Sequence, residues 1–165
     1  MCGFVGFTGS IENKEAVLEA MMNRIVHRGP DMGGQYFDGD VSMGFRRLSI
    51  LDLSEAGRQP MTSVDGNVTV TFNGEIYNFQ ELRAQLEAAG HTFHCNADTE
   101  VLVHGYEEWG EGLVDRLRGM YGFVIMTSAT KGFTARATSS ASNRSTTAAP
   151  HRAICCLAAK SRVSW

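Results

Sequence analysis

Cys2 is the residue of this chain best equipped for chemistry. Once an aminopeptidase removes Met1, as expected when the second residue is small, a thiol and a free α-amine sit on one residue. The amine titrates near pH ~7.7–8.0 and a free thiol near ~8.5, so a neutral amine can take the thiol proton with little energetic mismatch. That combination is a nucleophile carrying its own base. The competing reading, a small buried residue opening the apolar strand from Cys2 to Phe7, requires no chemistry. The two are separated by the residues further along: His27-Arg28-Gly29-Pro30-Asp31, Arg46-Arg47-Leu48-Ser49-Ile50-Leu51-Asp52 with Gly57-Arg58-Gln59-Pro60, Phe72-Asn73-Gly74-Glu75-Ile76-Tyr77-Asn78, and Asp98-Thr99-Glu100. Taken singly, Arg47 reads as a strand residue in a surface ion pair and Asn73-Gly74 as a hairpin turn.

Elements able to position these residues follow from periodicity and turn chemistry. After the opening strand, Asn13 caps a helix whose Val17, Leu18, Met21 and Ile25 recur at helical spacing, ending near His27. The His27–Asp31 turn leads to a strand at Gln35-Tyr36-Phe37, a hairpin at Asp38-Gly39-Asp40, and a second strand through Met43 and Phe45 to Ile50. Asp52 to Met61 is a polar loop. Val68 to Phe72 alternates as a strand and runs into a tight polar turn at Asn73-Gly74-Glu75, after which Asn78 caps a helix through Leu82 and Leu86 that stops at Gly90. His91 to His94 reads as a short strand, Asp98 or Thr99 caps a helix ending at Gly110, a short helix follows around Leu113 and Leu117, and Tyr121 to Ile125 is a strand. Strand pairs interrupted by helices, without β-α-β alternation, imply an α+β layered fold with mainly antiparallel sheets.

A chain of 165 residues suits one domain with a proper core. No apolar stretch approaches the roughly 20 residues of a membrane helix, and no basic segment precedes an apolar one as in a signal peptide, so the expectation is a cytosolic protein without membrane contact. Cys2, Cys95, Cys155 and Cys156 form neither a zinc spacing nor a disulfide framework. His91, His94, Cys95 and His104 likewise fit no common zinc pattern, and no metal is expected. All 18 acids lie before residue 127, whereas six of the 15 bases lie at 127–165. Those bases are neither clustered nor interleaved with aromatics, so nucleic acid is not an expected partner.

Together the five motifs, in this order, resemble the glutaminase domain of glutamine-hydrolysing asparagine synthetases over residues 1–125. The resemblance implies a four-layer αββα N-terminal nucleophile hydrolase fold, two stacked antiparallel sheets between helix layers, incomplete here at its C-terminal end. It implies hydrolysis of L-glutamine to glutamate and ammonia through a thioester on Cys2. Arg47 would pair with the substrate carboxylate through its planar fork. Asp98 and Glu75 would take the ammonium, Leu48, Ser49, Ile50 and Leu51 would form the wall, and the Asn73 amide with the Gly74 N–H would face the oxyanion. His27 is left out, because the chemistry already has its base. ATP and magnesium belong to a synthetase domain of the family that turns aspartate into asparagine; no Ser-Gly-Gly-x-Asp-Ser loop for pyrophosphate occurs here, so no cofactor is expected in this chain. The parent enzyme is expected to be a homo-oligomer. A different class of reading, an inactive remnant or interaction module that keeps the motifs, is discriminated by turnover.

Residues 126–165 depart from the family pattern and read as an aberrant, disordered tail of low complexity. In a frame displaced by one missing nucleotide, permitted codons for Phe133 to Thr147 recover the family's Ala-Arg-Asp and Lys-Pro-Leu-Tyr-Tyr segments, and Ile154 to Trp165 recovers a Ser-Glu-x-Lys segment. The expectation is a frameshift at about Ile125-Met126.

Overall fold

The computed structural model describes residues 2–48 and 57–128, together with the backbone of residues 132–137 and 157–158. Two antiparallel sheets form its centre. The first has the order β2-β3-β1-β8, built from β1 (Gly3–Thr8), β2 (Met32–Asp38), β3 (Val41–Arg47) and β8 (Leu157–Ala158); the second has the order β4-β5-β6-β7, from β4 (Met61–Thr62), β5 (Val68–Ile76), β6 (Gly119–Thr127) and β7 (Gly132–Ala137). Among the described residues the α-helices that accompany them are α1 (Lys14–Arg24), α2 (Phe79–Ala88), α3 (Thr99–Trp109) and the single turn α4 (Leu113–Arg116).

Alternation along each strand sorts the side chains into layers. Phe4, Met43 and Phe45 of the first sheet pack on Val124 and Met126 of the second. The opposite face of the first sheet sends Val5 and Phe7 against Leu18 and Met22 of α1. The opposite face of the second sends Val68, Val70, Phe72, Phe123 and Ile125 against Leu82 and Leu86 of α2 and Val101 and Leu102 of α3. The order is helix, sheet, sheet, helix, the four-layer α+β arrangement expected of the sequence.

Several local expectations are corrected. Asn73-Gly74-Glu75 is not a turn: β5 continues through it to Ile76, paired with Gly119 to Gly122 of β6. Glycines on both strands allow this. A Cβ on Gly74 would collide with the Met120 carbonyl oxygen, and one on Gly119 with the Glu75 carbonyl oxygen. The chain turns two residues later. Asn78 makes no capping bond to α2; its amide donates to the Arg116 carbonyl at 2.9 Å and its Oδ1 accepts from Arg118 N–H at 2.9 Å, tying the turn to the segment before β6. Asn13 precedes α1 at φ 58 without a side-chain cap. His91 to His94 is irregular rather than a strand, because its end is drawn onto a carboxylate: Glu100 accepts the N–H groups of His94 and Cys95 at 2.7 and 2.9 Å. β3 ends at Arg47, and its expected continuation to Ile50 lies outside the described residues after Leu48.

Other stops match the local chemistry. The last turn of α2 closes with His91 N–H on the Leu86 carbonyl at 3.0 Å and Gly90 N–H on Glu87 at 3.1 Å, Gly90 taking φ 103. These paired bonds satisfy carbonyls that the helix itself leaves open. Leu86 also fills the core below, with no exposed surface. Leu86→Ala should therefore lower the unfolding free energy by about 2–5 kcal/mol in denaturant titrations, with the native fold retained.

Candidate active site

The alternation that builds the layers also selects the site. Cys2 has the parity of Phe4 and packs at the margin of the inter-sheet cluster. Arg47 has the parity of Met43 and Phe45. Asn73 and Glu75 have the parity of Thr69 and Thr71, opposite to Val70 and Phe72, which face the helices. A thiol, a guanidinium, an amide and a carboxylate thus belong to the inner faces of two stacked sheets, beyond the end of their apolar contact.

Cys2 is held from two sides. Gly3 pairs with Arg46, which brings Cys2 level with the end of β3, where Leu48 N–H donates to Sγ at 3.4 Å and the thiol reaches the Leu48 carbonyl at 3.8 Å. Arg28 donates through Nε to the Cys2 carbonyl at 3.1 Å. Its turn can lie this close because Gly29 has no side chain: a Cβ there would collide with the backbone of Arg46. The His27–Asp31 motif is therefore scaffolding for Cys2. His27 itself is exposed.

Arg47 is buried, with Nη1 at 3.8 Å from Met32 Sδ. Gly57 makes room for the guanidinium, since a Cβ at that position would lie 2.9 Å from Nη2. Asp98 precedes the first turn of α3, but its carboxylate does not cap the helix; Oδ2 accepts the Ile76 N–H at 3.1 Å instead. That bond joins α3 to the end of β5. Burial raises the Asp98 pKa, the nearby charge of Glu75 raises it further, and the Ile76 hydrogen bond opposes both, leaving it at about 6. Two carboxylates of which one raises the other's pKa are an unfavourable pair that a bound cation relieves.

The structure brings Cys2 and Leu48 into contact, places Arg47, Asn73 and Glu75 on the inner faces, and joins Asp98 to the end of β5. Ser49, Ile50 and Leu51 lie outside the described residues. One residue without an assigned role in the sequence emerges as a keystone. Gln59 is buried, accepts Phe72 N–H at 2.6 Å through Oε1 and donates to Thr99 Oγ1 at 3.1 Å through Nε2. Its own carbonyl fills the space above Gly34, where a Cβ would collide with it. A glutamine inside a Gly-x-Gln-Pro loop was the available signal, but only the fold shows what it bonds.

Two antiparallel sheets between helix layers, with a cysteine leading an inner strand, define an N-terminal nucleophile hydrolase-type fold. The solved structure of glutamine phosphoribosylpyrophosphate amidotransferase from B. subtilis superposes at TM-score 0.68, with 22% identity over 82% of this chain and 37% of that one. The sequence profile of a glutamine amidotransferase domain matches residues 1–138, past Ile125 and across β7, and the chain belongs to that family. Asparagine synthetase [glutamine-hydrolyzing] 1 of Bacillus subtilis (strain 168) is 46% identical over 130 residues, covering 76% of this chain and 20% of that protein. The Zea mays asparagine synthetase [glutamine-hydrolyzing] is 41% identical over 138 residues, covering 82% of this chain and 23% of that protein. The chain spans between a fifth and a quarter of the length of these curated relatives. No helix among the described residues is long and apolar enough to cross a membrane.

The direction of the Asp98 shift fixes the sign of a stability effect. A carboxyl whose folded pKa is raised adds stability at low pH, present in full below the ordinary value of 3.8 and lost as the pH rises through about 6. Asp98→Asn keeps an acceptor for Ile76 and removes the buried charge. Its thermal midpoint should exceed the parent's at pH 7.5, and the difference should shrink as the pH is lowered below 5; a lower midpoint at pH 7.5 would contradict the burial-driven shift.

Proposed function

We propose that this chain is the glutaminase part of a glutamine-hydrolysing asparagine synthetase and that Cys2, freed of Met1, is its nucleophile. The observation that carries the reading is the position of Cys2 Sγ, 3.4 Å from Leu48 N at the end of the strand that presents the buried Arg47. L-Glutamine carries a carboxylate, an ammonium and a terminal amide. Arg47 suits the first, Asp98 with Glu75 the second, and the thiol the third.

The reaction follows from these placements. The α-amine of Cys2 takes the thiol proton, and the sulfur attacks the side-chain amide carbon, converting its carbonyl oxygen into an oxyanion. The Asn73 amide and the Gly74 N–H are the donors for that oxyanion. Gly74 is required for its backbone to lie against β6, as its collision with Met120 demonstrates for any larger residue. The α-ammonium returns its proton to the leaving nitrogen, ammonia departs, and a thioester remains. Water, deprotonated by the same amine, opens the thioester to glutamate and the thiol. In the whole enzyme the ammonia passes to a synthetase part that uses ATP and magnesium to amidate aspartate; the residues of this chain supply only the hydrolytic half.

Removal of Met1 is the first test, since an amine locked in a peptide bond is no base; mass spectrometry of the purified chain should show Cys2 at the terminus. Glutamine-dependent ammonia release should vanish in Cys2→Ala and fall about 10²–10³-fold in Asn73→Ala. An undiminished rate in Cys2→Ala refutes the assignment. Glutamine binding to the Cys2→Ala protein, measured by calorimetry, should weaken as the pH falls through about 6, where Asp98 gains its proton. The expected slope is up to about tenfold per pH unit, and Asp98→Asn should abolish it.

A further inference from the structure

On the far side of α3 the fold assembles a second cluster that the glutaminase reaction does not use. His91, His104 and Glu107 each offer one ligand atom, and these atoms lie within 4.8 Å of one another. Glu107 Oε2 lies 3.0 Å from His104 Nδ1 and 3.6 Å from His91 Nδ1. Ligands on a tetrahedral zinc ion with bonds of about 2.0–2.1 Å stand about 3.3–3.4 Å apart, between those two separations. The other ring nitrogens are each backed by a carboxylate: His91 Nε2 lies 3.2 Å from Glu108 Oε2, and His104 Nε2 lies 3.7 Å from Glu100 Oε1. For His91 the Glu108 carboxylate within hydrogen-bond distance of Nε2 can hold the proton there and leave the Nδ1 lone pair for a metal, which is how metal-binding histidines are usually oriented, while Glu100 faces His104 Nε2 from beyond hydrogen-bond distance.

The backbone fixes the positions of these groups. His104, Glu107 and Glu108 share a face of α3, and His91 is held over them by the N–H bond that closes α2. Phe93 stands edge-on to the His104 ring at 4.8 Å between centroids, an apolar wall on one side. The side chains of His104, His91 and Glu107 are 9%, 19% and 25% exposed, so an ion could enter and keep one water. His94 and Cys95 stand between these histidines in the sequence, in a spacing that fits no common zinc pattern. Folding turns the backbone of both residues onto Glu100.

We propose that His91, His104 and Glu107 form a binding site for a borderline-soft divalent transition-metal ion, zinc foremost, with Glu108 orienting the His91 imidazole. Two imidazoles and a carboxylate suit zinc, and calcium and magnesium prefer all-oxygen sites. Zinc binding converts the His104–Glu107 contact into two metal bonds and anchors the end of α2 to the middle of α3.

Calorimetric titration of zinc chloride into the chelator-treated full chain should show one ion bound per chain. His104→Ala and His91→Ala should each weaken binding by about tenfold or more, as should Glu107→Gln, which preserves size and hydrogen bonding should the alanine variants fail to fold. His94→Ala should bind zinc as the parent does. Cobalt(II) in place of zinc should give tetrahedral visible absorption without a near-ultraviolet thiolate band. Unchanged zinc affinity in Glu107→Gln and in the His91→Ala/His104→Ala pair, a thiolate band from Cys2 or Cys95, or no zinc binding to the parent each overturns the proposal.

Discussion

Phe4, Met43 and Phe45 close on Val124 and Met126, and that dry contact between sheets decides what the rest of the molecule can do. Because strand side chains alternate, fixing these five residues inward also fixes Cys2, Arg47, Asn73 and Glu75 on inward faces further along the same strands or their neighbours. The apolar contact stops short of the ends of β3 and β5, and polar groups take over there. Site and core are two stretches of one interface. A register slip of one residue in β5 would turn Asn73 toward the helices and put Phe72 in the cleft.

The polar residues are anchored by hydrogen bonds in which one partner is a backbone group. Leu48 holds the Cys2 thiol through its backbone N–H, and the Arg28 guanidinium holds the Cys2 carbonyl. Asp98 is placed by the Ile76 N–H, which leaves its charge only partly compensated and its pKa high. The fold tolerates that cost at one carboxylate. Glu100, only two residues away in sequence, shows the opposite balance: burial pushes its pKa up, but the N–H groups of His94 and Cys95, the Cys95 thiol and His104 together bring it below the ordinary carboxylate value. Neighbouring acids at the head of one helix thus serve different ends, one partly uncompensated in the cleft and one fully engaged in holding a loop.

Much of this was legible from the residues alone. Cys2 stands out by its own chemistry, a thiol beside an α-amine that loss of Met1 would free, whereas Arg47, Asn73, Gly74, Glu75 and Asp98 stand out only through the ordered motifs that resemble the family, and the alternating runs beside them give the strands. Asn73-Gly74 misled because the pair has strong turn chemistry; the glycine at 119, 45 positions from Gly74 and paired with Ile76, leaves room for the Glu75 carbonyl and lets the strand run straight through. Asn78 and Asp98 have capping sequences, yet each found a better partner in a segment that is distant or already extended. Local propensity loses in these places to long-range hydrogen bonds that no window of sequence contains. The grouping of His91 with His104 is of the same kind, since it depends on how α2 ends rather than on any spacing.

Gln59 bears on the mechanics of the cleft. Its carbonyl abuts Gly34 in the outer strand of the first sheet, while its side chain grips Phe72 in the second and Thr99 at the head of α3. Sliding either sheet along its strands would strain that strap, so Gln59 acts as a brake on shear between the two halves. The span from Arg47 to Asn73 is thereby gauged by an amide that carries no charge. The width of the cleft should stay constant across changes of acidity and salt that alter every ionised group facing into it.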